Sequence, residues 1–141
     1  MNSDTRNLAL LYEKVKYTRR VSKVIVVNNN RVLMLQKAGT LKWELPGGHA
    51  NPGEKMKKAA IRELREELGT KLKIDDLRRV QQTILNKYKT HIYVYTAPIK
   101  QKPRLSDEHV AYKWLKANEL DNYTLSPSTN HLAILSALTN G

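Results

Sequence analysis

The stretch that decides the fold runs from Gly47 to Gly69 and reads GGHANPGEKMKKAAIRELREELG. It holds four glutamates, three of them crowded into RELREELG, in a chain of 141 residues with a formal net charge of +12. The part KMKKAAIRELREEL is built almost wholly of strong helix formers, and Gly69 stands where a glycine ends a helix. At roughly 100° per residue, Ala60, Ile61, Leu64 and Leu68 form an apolar stripe, while Lys58 and Arg65 face away. Glu63, Glu66 and Glu67 fall together on the face beside the stripe. Like charges at i, i+3 and i+4 cost roughly 0.2–0.5 kcal/mol per pair. A solvated face balanced by nearby lysines is one resolution. A hard cation such as Mg²⁺ or Mn²⁺ is the other, because carboxylate oxygens suit it. Zinc is disfavoured, since the face has no histidine and the chain no cysteine. The glycines at 47, 48 and 53 let the backbone approach a ligand and expose carbonyls, although an ordinary turn uses them too.

The rest of the composition sets limits. A chain of 141 residues is close to the commonest domain size, so residues 1–141 are expected to form a single domain. The lack of cysteine excludes disulfides and thiolate metal sites and fits a cytoplasmic protein. The start, MNSDTRNLALLYEKVKY, lacks the continuous apolar core of a signal peptide, and no later run reaches membrane-spanning length. No membrane association is expected. The excess of lysine and arginine either keeps the surface soluble or draws in a polyanionic substrate.

Along the chain, Ser3 or Asp4 would cap a short peripheral helix over residues 1–15 carrying Leu8, Leu11 and Val15. VSKVIVV reads as a strand, NNN as a turn because asparagine tolerates left-handed backbone, and RVLMLQK as the returning strand of a hairpin. WELPGGHANPGE has turn chemistry throughout and is expected to be a loop. RRVQQTILNKY and THIYVYTAPI read as strands. KQKPRLSDE is a polar loop, HVAYKWLK a half-buried strand with Val110, Tyr112 and Trp114 on one side, and ANEL a helical turn. Ser126–Pro127 is a helix start, and the helix after it is expected to bury Leu132, Leu135 and Leu138. The chain shows no repeat, linker or low-complexity segment. It reads as one α/β unit.

The spacing then joins the loop to the helix. Gly48 is followed after five residues by Glu54, and after seven more by Arg62-Glu63-Leu64-Arg65-Glu66-Glu67-Leu68-Gly69. This resembles the box of the Nudix hydrolases, G-x5-E-x7-R-E-U-x-E-E-x-G-U, where U is a bulky aliphatic residue. All fixed positions and the first U agree. At average residue frequencies, such a match arises at a given start position on the order of once in a hundred million. The one departure is the last U, which is Thr70 here. The order of strands and helices around the box is also similar to that of a whole Nudix domain. The resemblance implies an α/β/α sandwich with a mixed central sheet.

It implies chemistry as well. Members hydrolyse a nucleoside diphosphate linked to another moiety, with a divalent metal. Carried onto this sequence, Glu63, Glu66, Glu67 and the Gly48 carbonyl would hold Mg²⁺ (or Mn²⁺). Glu63 would alternatively orient and deprotonate the attacking water. Glu54 and Arg62 would brace loop and helix as a charge pair. Glu108, in LSDEHV, would be an additional metal ligand or the general base, with a surface acid as the plainer reading; His109 beside it reads as a packing or surface residue. Arg19, Arg20 and Lys23, at the start of the first strand, are weaker candidates for substrate contact. Aromatic residues grip bases by stacking. Trp43 is a candidate for that, with some of Tyr88, Tyr93, Tyr95 and Tyr112. The substrates implied are ADP-ribose and nucleotide sugars, dinucleoside polyphosphates or dinucleotide cofactors. RNA 5′ ends and nucleoside triphosphates are the alternatives, and a non-catalytic nucleotide-binding module is a more distant one. The oligomeric state is expected to be monomer or homodimer.

Overall fold

The computed structural model describes residues 19–85, 90–127, 129 and 131–139. The helix expected over residues 1–15, and Tyr88, lie outside the described residues.

Among the described residues, eight strands and two α-helices are arranged in three layers. They are β1 (Arg19–Ile25), β2 (Val27–Asn28), β3 (Arg31–Lys37), β4 (Trp43–Glu44), β5 (Gly47–His49), α1 (Met56–Leu68), β6 (Arg78–Leu85), β7 (Thr90–Thr96), β8 (His109–Leu115) and α2 (His131–Thr139). Short 3-10 turns occupy Ile74–Asp76 and Ala117–Asn122.

The expected mixed α/β sandwich is borne out, and the described strands of its central layer divide between two four-stranded sheets. The first is mixed, in the order β5-β1-β7-β6, with β1 and β7 parallel and the other pairs antiparallel. In the second, β2, β4 and β8 all pair antiparallel with β3. The segment VSKVIVV therefore does two jobs. Its first part is β1, and after Val26 the chain enters the other sheet as β2. The hairpin is β2–β3, not β1–β3. Its turn is Asn29–Asn30, with φ of 51° and 58°, the left-handed pair that a two-residue hairpin turn requires.

Two further expectations are corrected. WELPGGHANPGE is not wholly a loop. Trp43–Glu44 pairs with Leu35 and Gln36, and Gly47–His49 pairs with Val21, Ser22 and Lys23. Ser126–Pro127 does not begin the last helix, which starts at His131. Ser126 instead closes a turn in which the Thr129 N–H donates to its carbonyl at 2.9 Å.

Strand alternation sends neighbouring residues to opposite layers. Ile25, Met34, Ile92 and Val94 pack with Ala133, Ile134 and Leu138 of α2. Val24, Leu33, Leu35 and Tyr95 pack with Ala60, Leu64 and Leu68 of α1. Each fully buried leucine contributes roughly 1.5–3 kcal/mol through the hydrophobic effect. The register of α2 differs from expectation, because Leu132 is 77% exposed and Ala133 and Ile134 are buried in its place. On β8, Tyr112 and Trp114 pack toward α1 as half-buried residues, whereas Val110 is exposed.

Helix α1 ends as its sequence predicts. Gly69 adopts φ 72° and its N–H donates to the Arg65 carbonyl at 2.9 Å. One face of the helix is buried against β1 and β5, and this brings the acids to the edge of β5.

Candidate active site

Gly47 and Gly48 run antiparallel to β1, with Gly47 opposite Lys23 and Gly48 opposite Ser22. Both glycines are needed for contact. A Cβ on Gly47, which has φ 137°, would overlap the Ser22 carbonyl oxygen. A Cβ on Gly48 would lie 2.5 Å from Glu63 Cδ and 2.6 Å from its Oε2. The Glu63 carboxylate is therefore packed directly on the Gly48 backbone.

The three helix acids differ in depth. Glu67 is only 2% exposed, and its Oε2 accepts the Gly47 N–H at 3.1 Å. Burial pushes its carboxyl up to about 8, against the opposing Lys23 charge and the Gly47 N–H. Glu63 is half-buried and is also raised, first by burial and further by the charges of Glu66 and Glu108. The Glu66 side chain is 58% exposed.

Arg62 ties these groups to the loop. Its Nε and Nη2 donate to the two oxygens of Glu54 at 2.9 and 3.0 Å, and Nη2 also reaches the His49 carbonyl at 2.9 Å. Its Nη1 donates to Glu63 Oε1 at 3.0 Å and contacts both Glu66 oxygens at 3.4 Å. The bond from Arg62, joined by the Asn51 N–H, holds the Glu54 carboxyl down at about 2. Among the described residues, no three carboxylate or imidazole side chains converge into a ready metal cluster. The guanidinium lies between Glu63 and Glu66, and Glu67 is turned inward.

The donor set nevertheless fits a hard divalent ion. It consists only of oxygens, its deepest carboxylate is buried with one backbone donor, and a backbone glycine is pressed against a second carboxylate. Glu66, largely exposed, contacts Arg62 at 3.4 Å.

A cavity of about 630 Å³ opens beside these groups. Glu63, Glu67 and Glu108 line it, and so do Lys23, Lys37 and His49. The His49 imidazole is lowered, first by burial and then by the charges of Arg19, Lys23 and Lys37. A second cavity of about 630 Å³ lies between β6, β7 and α2, but its lining is mainly apolar and Asp76 is its only acid among the described residues.

The weaker candidates separate. Arg19 is exposed at the start of β1. Arg20 braces the loop instead of facing the cavity, donating to the carbonyls of Glu54 at 3.0 Å and Asn51 at 3.1 Å. Lys23 lines the cavity, but it is buried and committed to Glu44 Oε1 at 3.3 Å and the Leu45 carbonyl at 3.2 Å. Trp43 is a core residue, not a stacking platform. It is buried, packs edge-on to Tyr123 with ring centroids 5.4 Å apart, and has Lys113 Nζ 5.8 Å from its ring. Glu108 is exposed at the cavity wall, near enough for its charge to act on Glu63.

Sequence reasoning missed Glu44 and undervalued His109. Both are buried, and His109 Nε2 lies 3.3 Å from Glu44 Oε2. Burial alone would raise the Glu44 carboxyl, but the bond to His109 and the Lys23 charge hold it at about 2. An ionised carboxylate only accepts, so the proton in this contact resides on His109 Nε2.

Comparison with known proteins agrees with this fold. The NUDIX domain model matches residues 16–133. The chain belongs to the Nudix family. It is 40% identical over 96 residues to a mouse bis(5'-nucleosyl)-tetraphosphatase (asymmetrical), covering 62% of this chain and 65% of that protein. It is 31% identical over 108 residues to the nucleoside triphosphatase NudI of Salmonella newport, covering 68% and 77%. A solved MutT structure, from work on Aliivibrio salmonicida and Vibrio cholerae, superposes with a TM-score of 0.73 at 19% identity, covering 88% of this chain and 99% of that one. This Nudix chain is thus an enzyme of the pyrophosphohydrolase type, in a family whose members act on varied nucleotides. Among its described residues no helix is long and apolar enough to cross a membrane.

Proposed function

We propose that this Nudix enzyme cleaves a pyrophosphate bond in a nucleoside diphosphate linked to another moiety, with dinucleoside polyphosphates the leading substrate class. The observation that carries the reading is one cavity lined by Glu63, Glu67 and Glu108 and also by Lys37 and His49. Polyphosphate is anionic along its length, so a wall of carboxylates alone would repel it.

Glu63, Glu66, Glu67 and the Gly48 carbonyl would hold Mg²⁺, with Mn²⁺ as a substitute. A divalent ion bound there would neutralise charge on phosphate oxygens and lower the pKa of water. Glu108 would accept the proton of the attacking water. Glu54 and Arg62 fix the loop on the helix, which keeps the acids in the geometry that catalysis needs. Arg19 and Lys37 attract the phosphates that are not attacked. The 40% identity to a mouse protein named for dinucleoside tetraphosphates supports this class over ADP-ribose and other nucleotide sugars or dinucleotide cofactors. We read residues 1–141 as one domain acting in the cytoplasm as a monomer or homodimer.

The test is a panel of dinucleoside polyphosphates, ADP-ribose and nucleoside triphosphates, assayed with Mg²⁺ and with EDTA and read by chromatography. The expected result is cleavage of dinucleoside polyphosphate with Mg²⁺ and none with EDTA. Exclusive cleavage of triphosphates would overturn the substrate class.

The charge of +12 favours a second reading, hydrolysis at an RNA 5′ end. Binding through many phosphates falls steeply with salt. RNA binding that survives only at low salt, with RNA cleaved in preference to the small molecules, would establish that reading in place of the first.

A further inference from the structure

Lys23, Glu44 and His109 come from β1, β4 and β8, so the contact among them joins the two sheets. Each of the three is buried, and each lines the cavity that Glu63, Glu67 and Glu108 also line. The chain of contacts is continuous. Glu67 Oε2 accepts from Gly47 N, and Gly47 is registered opposite Lys23. Lys23 Nζ donates to Glu44 Oε1 at 3.3 Å, and Glu44 Oε2 lies 3.3 Å from His109 Nε2. Glu108 is the next residue back from His109, with its carbonyl fixed by the Ala38 N–H at 2.9 Å.

Stability is a poor reason for such a group. A buried ion pair is commonly no more stable than apolar residues of the same volume. Here it carries a further burden, because His109 Nδ1 is buried with no hydrogen-bond partner among the described residues. What the arrangement supplies is fixed geometry, since two contacts on one buried carboxylate leave little play between β1 and β8.

We propose that Glu44, held between Lys23 and His109, is a positioning residue that sets Glu108 against Glu63 and Glu67 across the cavity. This rests on the reading above in which Glu108 accepts the proton. None of the three residues then touches substrate. Their loss slows the chemical step and leaves substrate binding little changed.

The test is a double-mutant cycle on the metal-loaded full chain with the best substrate of the panel. Glu44→Gln alone is expected to lower kcat by about 10- to 100-fold, the usual cost of removing a group that orients a site, with KM within about threefold. In a Glu108→Gln background the same change should cost less than about threefold, because the group it positions is gone. A full, multiplicative loss in that background would overturn the positioning role. If Glu108→Gln itself leaves kcat unchanged, the reading of Glu108 has failed instead, and the two failures are distinguishable.

His109 provides the check should Glu44→Gln fold poorly. His109→Gln keeps an N–H donor near the Nε2 position and should stay within about threefold of wild-type kcat, whereas His109→Leu should fall by about tenfold or more. Equal kcat values for the two variants would overturn the proposal. Thermal unfolding measured alongside separates a lost fold from a lost orientation.

Discussion

The Gly47 N–H donates to Glu67 Oε2 at 3.1 Å, so the most deeply buried acid of the site is held by the backbone of the glycine loop. The loop and the helix are thereby one unit, and the two adjacent glycines carry different duties within it.

Those duties predict different outcomes for two alanine substitutions. Gly48→Ala would press its Cβ on the Glu63 carboxylate, which must move. Displacing a reacting group by about 1 Å costs on the order of 100-fold in rate, and the fold should survive because a side chain gives way. Gly47→Ala would meet the Ser22 backbone at a φ of 137°. That variant should lose stability by several degrees or more in thermal unfolding. Wild-type turnover by folded Gly48→Ala would refute the packing of Glu63 on Gly48.

Thr70 is the departure from the family box, and the structure shows its consequence. The side chain is 2% exposed, and Oγ1 has no hydrogen-bond partner among the described residues. Thr70→Val removes an unsatisfied hydroxyl at nearly constant shape. The change should stabilise by about 1 kcal/mol, or roughly 3–4 °C in Tm for a chain of this size, with kcat unchanged. A lower Tm would show that the hydroxyl has a partner.

Glu44 predicts a particular acid sensitivity. Its folded pKa of about 2 lies below its ordinary value of 4.5. The unfolded chain therefore binds the proton more readily. The contribution is complete above pH 4.5 and is lost as pH falls toward 2, amounting to about 3 kcal/mol by linkage. Chemical denaturation at pH 7 and at pH 3 should show a smaller loss for Glu44→Gln than for wild type. Identical pH dependence in the two proteins would contradict the ionised pair.

Arg62 should not tolerate lysine. Its planar fork serves both oxygens of Glu54, the His49 carbonyl and Glu63 at once. An ammonium cannot make those contacts together. Arg62→Lys should destabilise by about 1–3 kcal/mol and lower kcat as the loop shifts, measurable by denaturation and steady-state rates. Wild-type values in both assays would refute the bracing role.

Much of this was legible in the sequence because it is local. The ends of α1 follow from helix formers and Gly69, and the turn at Asn29–Asn30 follows from asparagine's tolerance of positive φ. The family spacing named the acids. What escaped depends on partners far along the chain. Strands β4 and β5 are two and three residues long, and β5 opens on two glycines, so only their pairing with β3 and β1 defines them. A helical wheel gives the bearing of Glu67 but not its depth, so three acids that share a face proved to be buried, half-buried and exposed. Lys23, Glu44 and His109 lie 21 and 65 positions apart, and no local pattern joins them. Trp43 before a glycine loop suggests stacking until the pairing of β4 turns it into the core.

The role proposed for the acids of α1 is to hold the divalent ion on which hydrolysis depends. Its most direct test is Mn²⁺ binding, followed by electron paramagnetic resonance, in wild type and Glu67→Gln, with hydrolysis under Mg²⁺ measured on the same samples. Wild type should bind Mn²⁺ and be silenced by EDTA. A folded Glu67→Gln should lose both binding and turnover, the latter by about 100-fold or more. A folded Glu67→Gln that binds Mn²⁺ and turns over like wild type would contradict it.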